Sequence, residues 1–378
     1  MQLQTLAYQS ATGWSSAPDT SLDSERTLVT IFGASPLFDA PHTVQELMRL
    51  YPRSHVTGCS TAGEIFGVRI NDDSVVAAVA KFERVSLKSA SAPVSAAGSY
   101  AAGRQLGDAL NAPQLRAVFV LSDGLNVNGS ELVRGINAVL PESVVVTGGL
   151  AGDGDRFKRT WVLQGGAMRP NVVTATGLYG DALRVGHGSK GGWDVFGIER
   201  TVTRSAANVL YELDGRPALQ LYKEYLGDRA SGLPATGLLF PLSLRAPDDE
   251  AKRLVRTILA VDESSQSLTF AGDVPQGYLA QLMSANFDRL VEGAGAGAAA
   301  CALATPRAAA VLAIAISCVG RRLVLGDYCE EETAATVQAL PALAQQIGFY
   351  SYGELSPYAS GHCDLHNQTM TLTTFAEI

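Results

Sequence analysis

Five histidines, at positions 42, 55, 187, 362 and 366, and five cysteines, at 59, 301, 318, 329 and 363, are the side chains of this 378-residue sequence best suited to metal or nucleophilic chemistry. Cys363 and His366 stand three apart and would supply two metal ligands. A closed structural zinc site takes four, and no second pair is near. Cys59, in VTGCSTAG, sits where a strand passes into a glycine loop, a place for a nucleophile. Activating its thiol requires a cationic or imidazole neighbour, and the local sequence offers only Glu64, so a residue lining a pocket or the core fits Cys59 better. Glu64, Asp123, Asp153 and Glu354 stand at expected carboxyl ends of strands, where open α/β sheets bind ligands. There a carboxylate can pair with an ammonium group while loop amides take a carboxylate. No Walker A string or Rossmann G-x-G-x-x-G follows a strand, and GDGDRF puts acids where phosphate would sit, which disfavours nucleotides.

The elements that must position these side chains repeat three times as β-α-β-loop-β. The first unit has strands at Thr27 to Gly33 and His55 to Gly58 around a helix near Val44 to Tyr51, then the loop CSTAGEIFG and a strand at Ser74 to Phe82. The second has strands at Ala117 to Asp123 and Ser143 to Gly149 around a helix near Glu131 to Leu140, then LAGDGDRF and a strand at Thr160 to Gln164. The third has Ala309 to Cys318, a helix near Glu331 to Gln346 interrupted by Pro341, Gly348 to Tyr352, the loop GELSPYASGHCDLH and a strand at Gln368 to Phe375. Such junctions need glycine where the chain leaves the sheet or a ligand approaches the backbone. Three kindred loops at strand ends should therefore converge, bringing Cys59, Ser60, Thr61, Gly63 and Glu64 together with Gly149 and Asp153 and with Tyr352, Gly353 and Glu354.

Between the second and third units, strands at Val172 to Tyr179, Ala182 to Gly188, Arg200 to Arg204 and Asn208 to Leu213 read as an antiparallel meander. A helix, PALQLYKEYLG, opens on Pro217 and closes on Gly227. A lobe boundary is expected near Gly227 to Thr236, then a hairpin at Leu254 to Val261 and Ser267 to Ala271, then a long helix from near Tyr278. The fold class is α/β to α+β, with mixed sheets in two interdependent lobes.

Composition narrows the function classes. With 29 Lys+Arg against 37 Asp+Glu, a net charge of -8 and no basic run longer than Arg321-Arg322, no stripe for nucleic-acid phosphates is visible. An odd cysteine set without Cys-x-x-Cys suits a reducing cytosol. The first residues lack a secretory signal, and the apolar stretch Ala294 to Val319 is broken by Pro306-Arg307, short of a spanning helix. A cytoplasmic protein that uses neither nucleic acid nor membrane is the expectation.

VTGCSTAGEI, VTGGLAGDG, GSKGGWDVFG, VTRS, NVLYELDGRPALQLYKEYLG, GFYSYGELSP and LHNQTMTLTTF together resemble the FIST sensory proteins over nearly the whole chain. The resemblance implies an amino-terminal FIST domain over residues 27–202 and a carboxy-terminal one over 218–377, forming a cytoplasmic sensor rather than an enzyme. It implies a small ligand and a signalling partner, either a histidine kinase or a diguanylate cyclase or phosphodiesterase. The stand-alone NosP-like branch further implies haem b and nitric oxide sensing. Haem needs an axial imidazole in an apolar pocket. His187, between glycines in RVGHGSKGGW with Trp193 nearby, is the first candidate, and His366, beside Asn367, the second. His366 equally suits a hydrogen-bonding role at the chain terminus, and His187 a place in a turn. Haem propionates would favour Arg184, Arg200 or Arg204 and disfavour nearby acids. A metabolite resembling an amino acid, held without haem, would use Glu64 or Asp153 instead, and an enzyme would use Cys59 or a carboxylate pair.

Overall fold

The three expected units share one plan in a computed structural model that describes residues 1–249, 253–302, 309–358 and 361–378. The first unit runs β1 (Gln2–Gln9), β2 (Thr27–Ala34), α1 (His42–Leu50), β3 (His55–Thr61), β4 (Glu64–Phe66) and β5 (Val75–Lys81). Here β2 and β3 pair in parallel, β5 returns antiparallel to β2, and β1 lies antiparallel to β5. The second runs β6 (Ser86–Pro93), α2 (Ser99–Leu110), β7 (Leu115–Ser122), α3 (Gly129–Asn137), β8 (Val145–Leu150), β9 (Val162–Gln164) and β10 (Val172–Tyr179), with β6, β10, β7 and β8 side by side in the same arrangement.

The third unit begins with β11 (Leu183–Lys190) and is then interrupted by an inserted antiparallel sheet. That insert holds β12 (Asp194–Ala206), β13 (Val209–Leu213), α4 (Ala218–Leu226), β14 (Leu242–Arg245) and β15 (Leu279–Ser284), with further short strands at its edges. The unit resumes with α5 (Phe287–Ala302), β16 (Val311–Cys318), α6 (Val319–Leu325), α7 (Cys329–Ala339), β17 (Ala344–Ser351), β18 (Gly353–Pro357), β19 (Cys363–His366) and β20 (Met370–Glu377). Parallel β16 and β17 lie beside β20 and then β11.

After its second parallel strand, each unit sends a hairpin into a neighbour's sheet. β4 pairs with β17, β18 pairs with β8, and β9 pairs with β3. The exchange closes a cycle, so neither half of the chain completes its sheets alone. Alternation along the strands sets the layers. Leu28 and Phe32 of β2, Phe119 and Leu121 of β7, and Ile314 and Ile316 of β16 meet in one shared core. The intervening Val29 and Ile31 face α1, while Val118 and Val120 pack with residues of α2 and α3. In the third unit small residues let α5 lie close: a Cβ at Gly188 would collide with the Gly297 carbonyl.

The insert has its own core, in which Leu219 and Tyr222 of α4 pack with Leu210, Phe240 and Phe270. It rests on the three-unit core through Arg256, buried and donating to the carbonyls of Asp273 (2.8 Å) and Leu365 (3.3 Å), and through Asn128 Nδ2 on Asp273 Oδ1 (3.0 Å).

Several local expectations change. The meander is dismantled: β10, β11 and the β12–β13 pair belong to three different sheets, because tertiary pairing decides where a strand of average propensity goes. Residues 279–284 form a strand of the insert, and the helix begins only at Phe287. The helix expected to reach Gln346 ends at Ala339, where Leu340 turns extended ahead of Pro341, and Ala344 already opens β17. The segment near Gly227 to Thr236 is made of short 3-10 turns within the insert. Residue 250 of the acidic loop, 303–308 of the apolar stretch and 359–360 of the third loop lie outside the described residues.

Candidate functional site

The three kindred loops meet in a ring. Ala62 N–H donates to the Tyr350 carbonyl (2.7 Å), Tyr352 N–H to the Leu150 carbonyl (3.2 Å) and Gly152 N–H to the Ser60 carbonyl (2.9 Å). Counted from the matching glycines Gly58, Gly148 and Gly348, every donor is the fourth residue onward and every acceptor the second. The structure thus brings Ser60, Thr61, Gly63 and Glu64 close to Gly149, Asp153, Tyr352, Gly353 and Glu354. The ring is packed: a Cβ at Gly152 would fall 2.8 Å from Ala62 N, and at Gly63, with φ +131°, it would collide with the Arg322 guanidinium.

The acids in these loops are occupied by the fold. Glu354, fully buried, accepts from Ser351 Oγ (2.7 Å) and from Thr369 N (3.2 Å) and Oγ1 (2.8 Å). Glu64 does the same with Thr61 Oγ1 and with Ser74 N (3.1 Å) and Oγ (2.7 Å). Both carboxyls staple the loop to the residue that opens the returning strand. Burial pushes Glu64 up to about 7 and Glu354 up to about 8. Asp123 serves the second unit, accepting from Thr160 Oγ1 and Asn171 N, both at 3.0 Å. Asp153 closes its own loop, accepting from Arg156 Nε (2.9 Å) and Nη2 (2.6 Å) and from the Arg159 amide (3.0 Å). Burial opposes its ionisation, but these bonds hold its pKa below the usual carboxylate value.

Beside the ring two chambers adjoin. The larger, about 900 Å³, opens between core and insert; Phe157, Leu323 and Val324 face Leu233, Leu238, Leu239, Ile258 and Leu259 across it. The smaller, about 580 Å³, is bounded by Ala62, Asp72, Arg156, Arg322, Asp327 and Glu330. Asp155 and Leu323 belong to both. Four of the large apolar side chains left exposed, Phe157 (41%), Leu239 (38%), Leu259 (43%) and Leu323 (45%), line this one cleft. Its volume is of the order expected for a small-molecule site, about 300–1,000 Å³.

Tyr352 anchors the cleft's edge. Its hydroxyl donates to the Gly154 carbonyl (3.0 Å) and accepts from Phe157 N–H (3.3 Å), and its ring stacks on Phe157 with centroids 4.4 Å apart. Phe157 takes φ +51°, a region a bulky residue occupies only when its surroundings enforce it. On the same wall Arg322 forks onto Asp72 (2.8 and 2.7 Å) and reaches the Ala62 carbonyl (2.6 Å), tying α6 to the ring. Arg321 and Glu332, both fully buried, hold α6 against α7.

The remaining expected residues lie elsewhere. Cys59 is in the shared core, and burial pushes its thiol well up, opposite to a nucleophile's need. The glycines beside His187 seat α5 instead of opening a slot for a macrocycle, and burial lowers that imidazole's pKa. His366 Nε2 bonds to the Ser356 carbonyl (2.8 Å) and its ring lies 4.5 Å from Tyr358. Neither imidazole lines either chamber, and no histidine, cysteine or methionine is among the described residues that line the larger one, so these residues do not fit an axially held haem there. Arg200 pairs with Asp214 and Arg204 with Glu212, while Arg184 donates to the Asp181 carbonyl. Trp193 donates to the Gln368 carbonyl (2.8 Å). Asn367 is buried with neither amide atom hydrogen-bonded among the described residues. No cluster of three metal-ligating side chains occurs among the described residues, and no helix of theirs is long and apolar enough to cross a membrane.

Sequence reading passed over Asp155, Phe157, Arg322, Leu323 and the 232–239 segment. The GDGDRF text signals the loop, but the segment of the insert that faces it, 232–239, begins nearly eighty residues away.

Two family models match in succession: the FIST N domain over residues 27–216 and the FIST C domain over residues 218–357. They meet inside the insert, just ahead of α4. No curated protein matches the sequence. Among solved structures, the chain is similar to a cyanuric acid hydrolase from A. caulinodans at 10% identity and a TM-score of 0.37, over 100% of this chain and 98% of that one.

Proposed function

Because the chain belongs to the FIST family, whose domains are signal-transduction sensors that bind small ligands, we propose that the cleft between core and insert is its ligand chamber. Occupancy would set how the insert sits on the core, and a partner signalling enzyme, a histidine kinase or a cyclic-di-GMP enzyme, would read the difference. The observation that carries this reading is the gathering of four exposed apolar side chains, from core and insert alike, around one chamber of about 900 Å³. A ligand held by both walls favours the closed arrangement by its differential affinity alone. The acids of the ring are spent on the fold, so the loops contribute shape, and Asp155 with Phe157 contributes contact.

A thermal-shift screen of small metabolites tests this. Compounds that raise the Tm of the native chain are expected to lose at least tenfold in affinity in Leu323→Lys, a change at an exposed position of α6. Stabilising compounds indifferent to Leu323→Lys, or saturable haem uptake with a Soret band lost in His187→Ala, would overturn the proposal.

A further inference from the structure

Resting on the cleft as the ligand chamber, the geometry points to the class of compound it takes: an organic cation, an ammonium group carried on an apolar body. The chamber is walled by leucine, isoleucine and valine side chains and changes character at one edge, where it meets the smaller polar chamber. Asp155 stands at that junction and belongs to both. Its carboxylate has no hydrogen-bond or ion-pair contact among the described residues and feels only the longer-range attraction of Arg156, whereas the acid two positions earlier, Asp153, is fully engaged.

Both cations that line the smaller chamber, among the described residues, are already engaged. Arg156 is held by Asp153 and Arg322 by both oxygens of Asp72. Among the described residues of the polar chamber, Asp327 and Glu330 add further negative charge, and Glu330 accepts a long bond from Ile70 N–H (3.3 Å). An anionic ligand would meet this field with both described lining cations already paired. A cation meets a carboxylate and, two residues on, the face of Phe157 in a stacked aromatic pair, the combination that attracts ammonium groups through the ring quadrupole. Tyr352 fixes both features at once, because its hydroxyl grips the loop on either side of Asp155. A neutral ligand would use the apolar wall alone and leave Asp155 unused.

Calorimetric titration of the full chain with three matched probes, 2-phenylethylammonium, 2-phenylethanol and 3-phenylpropanoate, tests the assignment. The ammonium probe is expected to bind at least tenfold more tightly than the other two. Asp155→Asn should erase that preference, and Leu323→Lys should weaken the ammonium and alcohol probes. Equal or better binding of the alcohol or carboxylate, or a preference that survives Asp155→Asn, overturns the cation assignment but leaves the cleft standing, provided Leu323→Lys still weakens the probes. Absence of saturable binding by every probe, or binding indifferent to Leu323→Lys, overturns the assignment and the chamber together.

Discussion

Glu64 and Glu354 show how a loop acid can be read correctly for position and still serve another end. Both stand three residues after a hydroxyl side chain, Thr61 and Ser351, a spacing visible in the sequence. Their second partners, Ser74 and Thr369, become neighbours only when the returning strand pairs. Burial then makes each carboxyl harder to ionise than in the unfolded chain. For Glu354 the folded value, about 8, exceeds the ordinary 4.5, so the folded state holds its proton more tightly. Its contribution to stability is therefore complete below the unfolded value and is lost as pH rises through the folded one. Urea unfolding of native and Glu354→Gln chains at a series of pH values from 4 to 9 checks this. The native chain should lose more stability than the variant over that range; parallel curves would mean that Glu354 ionises in the fold as it does in water.

At the scale of elements, the core strands are the most legible, since runs such as VLAIAISC are buried on both faces and need no partner to be recognised. What misleads is local preference overruled by packing. LAQLMS has no β-branched residue yet lies between β12 and β14, and α5 carries glycines that disfavour a helix in isolation but admit close contact with β11. The loop from Asp153 to Thr160 is legible as a turn, not as the edge of a cleft, because its conformation depends on Tyr352 from another unit. Removing that hydroxyl in Tyr352→Phe deletes two hydrogen bonds while keeping the ring stack. The cost in stability should stay near 1 kcal/mol. The amides of residues 154–158 should exchange faster, and cleft ligands should bind several-fold more weakly. Unchanged exchange in that segment would show that the loop holds its shape without the clamp.

At the scale of the molecule, the repeat was readable but its consequence was not. Three similar loops in sequence suggest a shared centre, yet the cyclic exchange of β4, β9 and β18 is a non-local pairing that no window of sequence contains. The exchange fills the centre with backbone hydrogen bonds and moves the opening outward, to where the insert overhangs the ring. The insert itself, a sheet with its own core placed between β11 and α5, supplies the second wall. A hinge between two such bodies is the usual place for a ligand to act on shape. Hydrogen–deuterium exchange of the full chain, with and without a saturating amount of the tightest compound from the thermal-shift screen, tests that arrangement most directly. Protection is expected together in residues 153–158, 232–239 and 319–325, on both sides of the cleft. Protection centred instead on β11 around His187, or on one wall only, would contradict a chamber closed between core and insert.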